Sequence, residues 1–444
     1  MNITLRNNQS KALVALGLAL LFGAFFSHAQ DMEGDESGKP LLNLVQSEEA
    51  KFKFILMSQF WLRHTDMNPG TTINDEPTDQ FTDISIRRLR IFSSMNINDR
   101  WYFKLQLGMN NINHINSQTP IRVLDLETSY KFSEAFILGG GKNGHAGLSR
   151  YASPSSFATL GFDLAFFTMP TVGVTDEILR KLSLFAKGYL GKLEYRAVVA
   201  RPQLLSAESE ISDQSTFRKD LPSIQYSAYV DYHFFDKESN VSAFRSGTYY
   251  GKKKVLNIGA GFMFQKDALA GLTTSLDTAY YDMSHLAVDF FVDMPLSEKL
   301  AITSYLGYFD YDFGKNYIRN SGVNNPANGQ VSPTFHGFGN KLPTTGTGQV
   351  LYSELGFMLT TEKLKSLQGI QPFGTLQYAN YKLLSDPMIT YNLGFNFIFD
   401  GHNSKLQIGV QSRPVFKFND QLEIKESERK FMWVAQYQIK LRAN

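Results

Sequence analysis

Apolar and polar residues alternate strictly in many short segments of this chain. In the last such segment, 431–441, Phe, Trp, Ala, Tyr, Ile and Leu occupy the odd positions, and mostly polar or adaptable residues occupy the even ones. Successive side chains of a β-strand point to opposite faces, so this pattern indicates a strand with one face in an apolar medium and the other in water. The same alternation recurs in 101–109, 224–234 and 389–399. So many strands of this kind predict a closed barrel that spans a membrane.

Alternating segments, separated by clusters of Asn, Asp, Gly, Pro and Ser, predict about sixteen strands. They are 51–64, 82–97, 101–111, 121–132, 135–142, 180–190, 192–201, 223–235, 253–265, 284–294, 299–312, 349–361, 370–383, 388–400, 404–413 and 430–441. Connections after even-numbered strands are mostly short and those after odd-numbered strands mostly long, although 236–252 and 384–387 break this rule. The predicted fold is an all-β, antiparallel, up-and-down transmembrane barrel with short periplasmic turns and long outer loops.

The hairpin around 98–100 allows the register to be predicted. If these three residues form the turn, Ile97 pairs with Trp101, and the basic residues Arg88, Arg90 and Lys104 share the lumen face. Arg90 then lies opposite Gly108, which leaves room for its long side chain. A slip of one residue would place both arginines in lipid, at a cost of roughly 2–4 kcal/mol each near the bilayer midplane.

The N-terminal residues predict export. Arg6 and Lys11 precede an apolar run over 12–26 and a small-residue site before Gln30, which is the pattern of a signal peptide over residues 1–29. We expect residues 30–50 to form a short acidic periplasmic lead-in and residues 51–444 to form the barrel. Loss of the signal peptide removes Arg6 and Lys11 and no acid, so the formal net charge falls from +2 to 0. This balance gives no indication of a nucleic-acid partner.

Composition narrows the function classes further. The chain has 0 Cys, which excludes disulfides, thiolate metal sites and a cysteine nucleophile. Its 36 Phe and 21 Tyr suit an outward apolar band with aromatic girdles, and we expect Trp61, Trp101 and Trp433 to face lipid near the interfaces. A secreted β-sandwich or propeller is the alternative fold.

One hairpin carries a family resemblance. The strand 83–91 contains Arg87-Arg88-Leu89-Arg90, and after a short turn the chain reads Trp101-Tyr102-Phe103-Lys104. Together with 124–130, and with 138–142 leading into a long third outer loop, these residues resemble the N-terminal part of the phosphate-selective porins O and P. The specific similarity covers roughly residues 81–170.

That resemblance implies a homotrimer of sixteen-stranded barrels in the bacterial outer membrane, each with an inward-folded third loop and a ladder of Arg and Lys that guides anions. Residues 143–179 would be the constriction loop. The pore-lining candidates are Arg88, Arg90, Lys104 and Arg150 by position in the family, and Lys187 and Arg196 by strand parity alone. Parity also places carboxylates in the lumen, at Asp125, Glu127, Glu194, Asp231, Asp289, Asp293 and Glu354, and salt bridges to groups such as Glu127 are an alternative role for the arginines.

The sequence therefore predicts a non-enzymatic outer-membrane porin that needs no cofactor or metal. Lipid and small hydrophilic or anionic solutes, such as phosphate, would be its partners. Two alternatives stay open: a non-conducting barrel that binds or anchors partners through its loops, and an outer-membrane hydrolase. His285 and Asp289 lie four residues apart on one predicted strand face, but no serine can be placed beside them to complete a triad.

Overall fold

Sixteen antiparallel strands form a closed barrel in the computed structural model, which describes residues 50–205, 211–220, 223–361 and 366–443. The barrel strands are β1 (Ala50–Asp66), β2 (Gln80–Ile97), β3 (Trp101–Ile112), β4 (Arg122–Lys131), β5 (Ile137–Asn143), β6 (Lys181–Leu190), β7 (Leu193–Arg201), β8 (Gln225–His233), β9 (Val255–Leu272), β10 (Thr278–Ser297), β11 (Leu300–Asp312), β12 (Gly348–Thr360), β13 (Gly369–Tyr381), β14 (Met388–Asp400), β15 (Ser404–Phe418) and β16 (Ile424–Ala443). Each strand pairs with the next, and β1 pairs with β16 from Phe54 opposite Ala443 to Thr65 opposite Met432. The predicted fold class and strand count are confirmed.

In the described parts of the connections there are only short elements. These are the strands Thr71–Ile73, Glu76–Pro77, Thr216–Phe217, Ile318–Ser321, Gly329–Gln330 and Leu342–Gly346, and the 3-10 turns Arg150–Ala152 and Phe166–Thr168. No helix in the described part of the chain is long and apolar enough to cross a membrane. The predicted signal peptide, residues 1–29, lies outside the described residues. So does the predicted lead-in, residues 30–50, except for its last residue, Ala50, where β1 begins.

Two rims can be distinguished by the lengths of the connections. The turn rim carries brief links such as 98–100, 191–192 and 401–403, and the loop rim carries most of the long ones, including 144–180. Residues 234–254 are an exception, because they form a long connection on the turn rim. The prediction of a long outer loop at 414–429 is wrong, because β15 and β16 continue as a paired ladder and leave only residues 419–423 between them.

The two faces of the wall separate as the alternation predicts. In β16, Trp433 and Leu441 face outward and are each 57 % exposed, whereas Gln436 and Gln438 face the lumen and are fully buried. The predicted register of the β2–β3 hairpin is also confirmed, with Ile97 opposite Trp101 and Arg90 opposite Gly108. A Cβ atom at Gly108 would lie 2.9 Å from Cδ of Arg90, so the absent side chain makes the room that Arg90 occupies.

The expectation for Trp61 is wrong. Its ring is 1 % exposed and faces the lumen, where Nε1 donates to Oε1 of Gln436 at 2.6 Å. The neighbours Phe60 and Leu62 take the outward positions of β1 instead. Alternation in β1 therefore puts the polar residues Gln59 and Arg63 on the same inner face as the tryptophan.

Candidate functional site

The long connection 144–180, here called the inserted loop, crosses the lumen, and one stretch of it is held mainly by uncharged side chains. Residues 156–161 of the loop present their backbone carbonyls to an amide belt on the facing wall. The belt consists of Gln59, Gln371, Asn396, Gln407, Gln436 and Gln438, all fully buried. Asn396 donates to the carbonyl of Leu160 at 2.8 Å, and Gln438 donates to that of Phe157 at 2.9 Å. Because buried carbonyls need donors, this belt fixes the depth of the loop without using charge.

Aromatic packing secures the other side of the inserted loop. The rings of Tyr151 and Tyr305 stack with centroids 4.1 Å apart, and Phe167 meets Phe309 edge-on at 5.1 Å. Tyr311 adds a hydrogen bond from its hydroxyl to the carbonyl of Phe167 at 2.9 Å. The loop is therefore a packed part of the interior along β11.

A second segment enters the lumen from the opposite rim. Residues 234–254, here called the turn-rim segment, reach the inserted loop and pair with its backbone. The amide of Ser155 donates to the carbonyl of Arg245 at 2.7 Å, and the amide of Arg245 donates to that of Ser153 at 2.8 Å. Contact between the two segments explains why this turn-side connection is long: it builds part of the barrel interior.

Buried ion pairs lock these segments to each other and to the wall. Arg150 of the inserted loop forms a two-pronged pair with Glu238 of the turn-rim segment, with Nη2 to Oε1 at 2.7 Å, and Arg245 pairs with Glu194 of β7. Burial favours the neutral form of each group, but the opposite charge outweighs burial. The pKa of the Glu238 carboxyl therefore falls to about 2, and the pKa of the Arg150 guanidinium rises. Arg150, Glu194, His233, Glu238 and Arg245 are called the ion-pair cluster below.

Three residues of the described barrel wall have side chains of the types that bind metal ions. Donor atoms of Glu194, Asp231 and His233 lie within 4.8 Å of one another. However, Glu194 already accepts from Arg245, from the hydroxyl of Tyr189 at 2.9 Å and from the ring of His233 at 3.2 Å. The arginine supplies positive charge where a metal would, so these residues fit an ion-pair role better than a metal site.

One space in the lumen lies between the inserted loop and strands β1 to β3. This cavity has a volume of about 240 Å³ and is called the cationic chamber. Six cationic side chains line it: Lys53, Arg87, Arg88, Arg90, Arg180 and Lys440. No Asp or Glu occurs among its lining residues within the described ranges. Lys53 and Lys440 stand towards the turn rim, and the arginines stand deeper in the barrel.

Arg87 reaches the chamber because of a β-bulge. Strand alternation would point either Arg87 or Arg88 towards lipid, but the register between β1 and β2 shifts so that Gln59 faces Arg88 and Phe60 faces Ile86. Arg87 is the extra residue, and the bulge turns it inward beside Arg88. Both guanidinium groups then pair with Asp163 of the inserted loop, Arg87 at 2.9 Å. Sequence reasoning missed this role for Arg87 and Asp163, since neither the bulge nor the path of the loop has a signal in the alternation.

The carboxyl of Asp163 holds one negative charge between two arginines. Burial would raise its pKa, but the charges of Arg87 and Arg88 outweigh burial and keep the pKa below the usual range of an aspartate. Within the described residues, Arg90 donates hydrogen bonds to neutral acceptors: the carbonyls of Leu89 and Met109, each at 2.8 Å, and the side-chain oxygen of Asn110 at 2.6 Å. The three arginines therefore keep an excess of positive charge.

The six candidate residues from the sequence separate into two groups. Arg88 and Arg90 line the cationic chamber. Lys104, Arg150, Lys187 and Arg196 are buried outside its lining. Nζ of Lys104 lies 3.1 Å from Asp125 and 3.8 Å from Glu127, and Lys187 donates to the carbonyl of Val241 at 2.9 Å. Glu127 therefore lies beside Lys104, whereas the carboxylate that forms an ion pair with Arg88 is that of Asp163.

His285 and Asp289 are both buried on the lumen face of β10. The imidazole packs on the ring of Phe313 with centroids 4.3 Å apart. Asp289 accepts from the hydroxyls of Tyr229 and Tyr305 and from the backbone amide of Arg150. These contacts tie the inserted loop to the wall.

Comparison with known proteins supports the architecture. No family model and no curated protein matches the sequence. Among solved structures, OprB of Pseudomonas putida is 8 % identical with a TM-score of 0.52, and the alignment covers 89 % of this chain and 95 % of that one. The anion-selective porin of Comamonas acidovorans is 10 % identical with a TM-score of 0.48, over 88 % of this chain and 100 % of that one. The outer membrane channel DcaP of Acinetobacter baumannii is 11 % identical with a TM-score of 0.47, over 88 % and 97 % of the two chains. At this level of identity the similarity to OprB shows the fold alone, and the apolar side chains on the outer face of the wall are what a membrane-spanning barrel presents to lipid.

Proposed function

We propose that this barrel is a porin for passive diffusion of small hydrophilic solutes and that it prefers anions. The cationic chamber supports this proposal: it is a narrow space lined by six cationic side chains and, among the described residues, by no carboxylate. Fixed charge in a confined site of low dielectric acts more strongly on a solute than the same charge in water. The chamber therefore concentrates anions and repels cations.

Phosphate is a specific candidate within this class. Guanidinium groups present planar, paired donors that match phosphate oxygens. The bulge brings Arg87, Arg88 and Arg90 to one cavity, and Asp163 occupies donors of only the first two. An anion beside Arg90 would lie close to three guanidinium groups, of which Asp163 pairs with two.

The test is the reversal potential of the purified full chain in planar bilayers under a tenfold KCl gradient. We expect anion selectivity in the native protein. A unit charge about 4 Å from a permeating ion is worth about 1 kcal/mol even in bulk water, so the double substitution Arg88→Gln and Arg90→Gln should lower the chloride-to-potassium permeability ratio about fivefold or more.

A matched control removes the same charge elsewhere. Lys417→Gln with Lys425→Gln also removes two positive charges, but both side chains are exposed where β15 and β16 extend at the loop rim. This control should leave the reversal potential close to that of the native chain. Equal potentials for native and chamber variants, or cation selectivity in the native chain, would refute the anion proposal.

One observation favours a second function. The inserted loop and the turn-rim segment meet inside the lumen and leave a chamber of only about 240 Å³. A barrel filled from both rims could serve as a non-conducting protein that binds or anchors partners. Folded protein that inserts into bilayers without stepwise conductance would support this alternative and exclude the porin.

The trimer and the signal peptide are part of the same proposal. Crosslinking in native outer membranes should give a band at three times the mass of the barrel, and the mature chain should begin at Gln30. A monomeric band would contradict the trimer, and an uncleaved N-terminus would contradict the signal peptide. Neither result would affect the channel proposal.

A further inference from the structure

A second cavity adjoins the cationic chamber on the side of the loop rim. It has a volume of about 80 Å³ and lies between residues 161–166 of the inserted loop and the upper part of strands β12 to β16. Leu164 and Phe166 line both cavities, so the two spaces lie on either side of this short stretch of the loop. We call the second cavity the amide vestibule.

The chemistry of the vestibule differs from that of the chamber. Its polar wall is formed by uncharged side chains, chiefly Thr375, Gln377, Thr390, Asn392 and Gln411. The one charged side chain among its described lining residues is Asp163, and that carboxylate is already paired with Arg87 and Arg88. Amides and hydroxyls both donate and accept, which is the combination that neighbouring hydroxyl groups of a ligand require.

Contacts within the wall hold these groups in place. Gln411 donates to Oδ1 of Asn392 at 3.0 Å, and Asn392 donates to the hydroxyl of Thr375 at 2.7 Å. Trp61 and Phe162 meet edge-on with centroids 6.4 Å apart and provide an apolar side. Fixed polar groups opposite an aromatic surface are typical of small-molecule sites and suit a ligand with one hydroxylated and one apolar face.

We propose that the two cavities form one site for a small polyhydroxylated organic anion, with its anionic group in the cationic chamber and its hydroxyl groups in the amide vestibule. Sugar phosphates and sugar acids share this chemistry. The inference rests on the proposed anion function and adds the substrate class. A simple anion such as inorganic phosphate would use only the chamber, whereas a hydroxylated anion would use both cavities.

Calorimetric titration of the detergent-solubilised full chain tests this inference, because it measures binding whether or not current flows. The probes are glucose 6-phosphate, gluconate, inorganic phosphate and glucose. We expect glucose 6-phosphate to bind about tenfold more tightly than inorganic phosphate, which corresponds to about two additional hydrogen bonds of ordinary strength, and glucose to bind weakly. Gluconate distinguishes the two sources of negative charge: binding equal to that of glucose 6-phosphate indicates a general site for hydroxylated anions.

Substitutions separate the two halves of the site. Gln377→Ala with Asn392→Ala should weaken binding of glucose 6-phosphate about tenfold and leave inorganic phosphate unchanged. Arg88→Gln with Arg90→Gln should weaken both anions. The control pair Gln349→Ala with Asn380→Ala removes exposed amides from β12 and β13, outside the described lining of either cavity, and should change neither.

Two results would overturn the inference: equal affinity of the native chain for phosphate and glucose 6-phosphate, or equal weakening of both by the vestibule substitutions. Either result leaves the anion preference intact if the reversal potential still responds to Arg88 and Arg90. Loss of that response instead refutes the proposed function itself, so the two failures can be told apart.

Discussion

Two sets of arginines face the same lumen in opposite electrostatic surroundings. Arg150 and Arg245 stand among carboxylates, and each is matched by a buried glutamate, Glu238 or Glu194. Arg88 and Arg90 line a chamber with no carboxylate among its described lining residues, and Asp163 of the inserted loop is shared between Arg87 and Arg88. Strand parity places side chains in the lumen, but the local balance of charge decides whether a lumen arginine holds the interior together or acts on a solute.

The ion-pair cluster should show the largest effect on stability. Arg150→Ala leaves Glu238 buried without its partner, and removal of one member of a buried pair typically costs about 3–5 kcal/mol. We expect the heat-dependent mobility shift of the barrel on gels, and its unfolding in urea, to move to clearly milder conditions. The double variant Arg150→Met with Glu238→Leu should recover much of that loss, because no unpaired charge remains. A single variant as stable as the native chain would show that the pair does not hold the two segments together.

Acid should weaken the same contact. The pKa of the Glu238 carboxyl is lowered to about 2 from an ordinary value of 4.5, so its ionised form is favoured in the folded state. The stability that it contributes is complete above the ordinary value and is lost as the pH falls towards 2. We expect urea unfolding of the native chain to become easier between pH 4.5 and 2 by more than that of Glu238→Gln. Parallel pH profiles for the two proteins would exclude this role.

Substitution of a chamber arginine should change ion selectivity more than stability, the opposite of what we expect for the ion-pair cluster. Arg90→Gln removes a cation whose hydrogen-bond partners are neutral, so no charge is left unpaired, and the cost should be about 1–2 kcal/mol. The same substitution should change the reversal potential measurably, whereas Arg150→Met with Glu238→Leu should not. Measuring stability and selectivity on both variants separates the two arginine sets. A large loss of stability with unchanged selectivity in Arg90→Gln would place Arg90 with the structural set.

Alternation along the chain was enough to predict the wall, because lipid on one face and polar groups on the other impose a period of two on every strand. The predicted pairing of Arg90 with Gly108 followed from that rule and a three-residue turn. The family resemblance implied an inward-folded loop over 143–179, but alternation predicts neither the contacts of that loop nor the inward path of 234–254. These segments are held by contacts with distant strands, such as Leu160 with Asn396. Trp61 was assigned to lipid from its residue type, although the polar neighbours at 59 and 63 share its face.

The bulge at Arg87 is the remaining feature that alternation misses, and Asn111 makes it testable. Asn111 lies beside the bulge on β3 with φ of 61°, and its Oδ1 accepts from Arg87 at 2.6 Å. Asparagine tolerates this left-handed conformation better than alanine, so Asn111→Ala should cost about 1 kcal/mol through backbone strain and the lost hydrogen bond. Asn111→Gly loses the same hydrogen bond without the strain and should be the more stable of the two in urea. If alanine is tolerated as well as glycine, the positive φ is not what maintains the bulge, and Arg87 is held inward by its other contacts, such as the ion pair with Asp163.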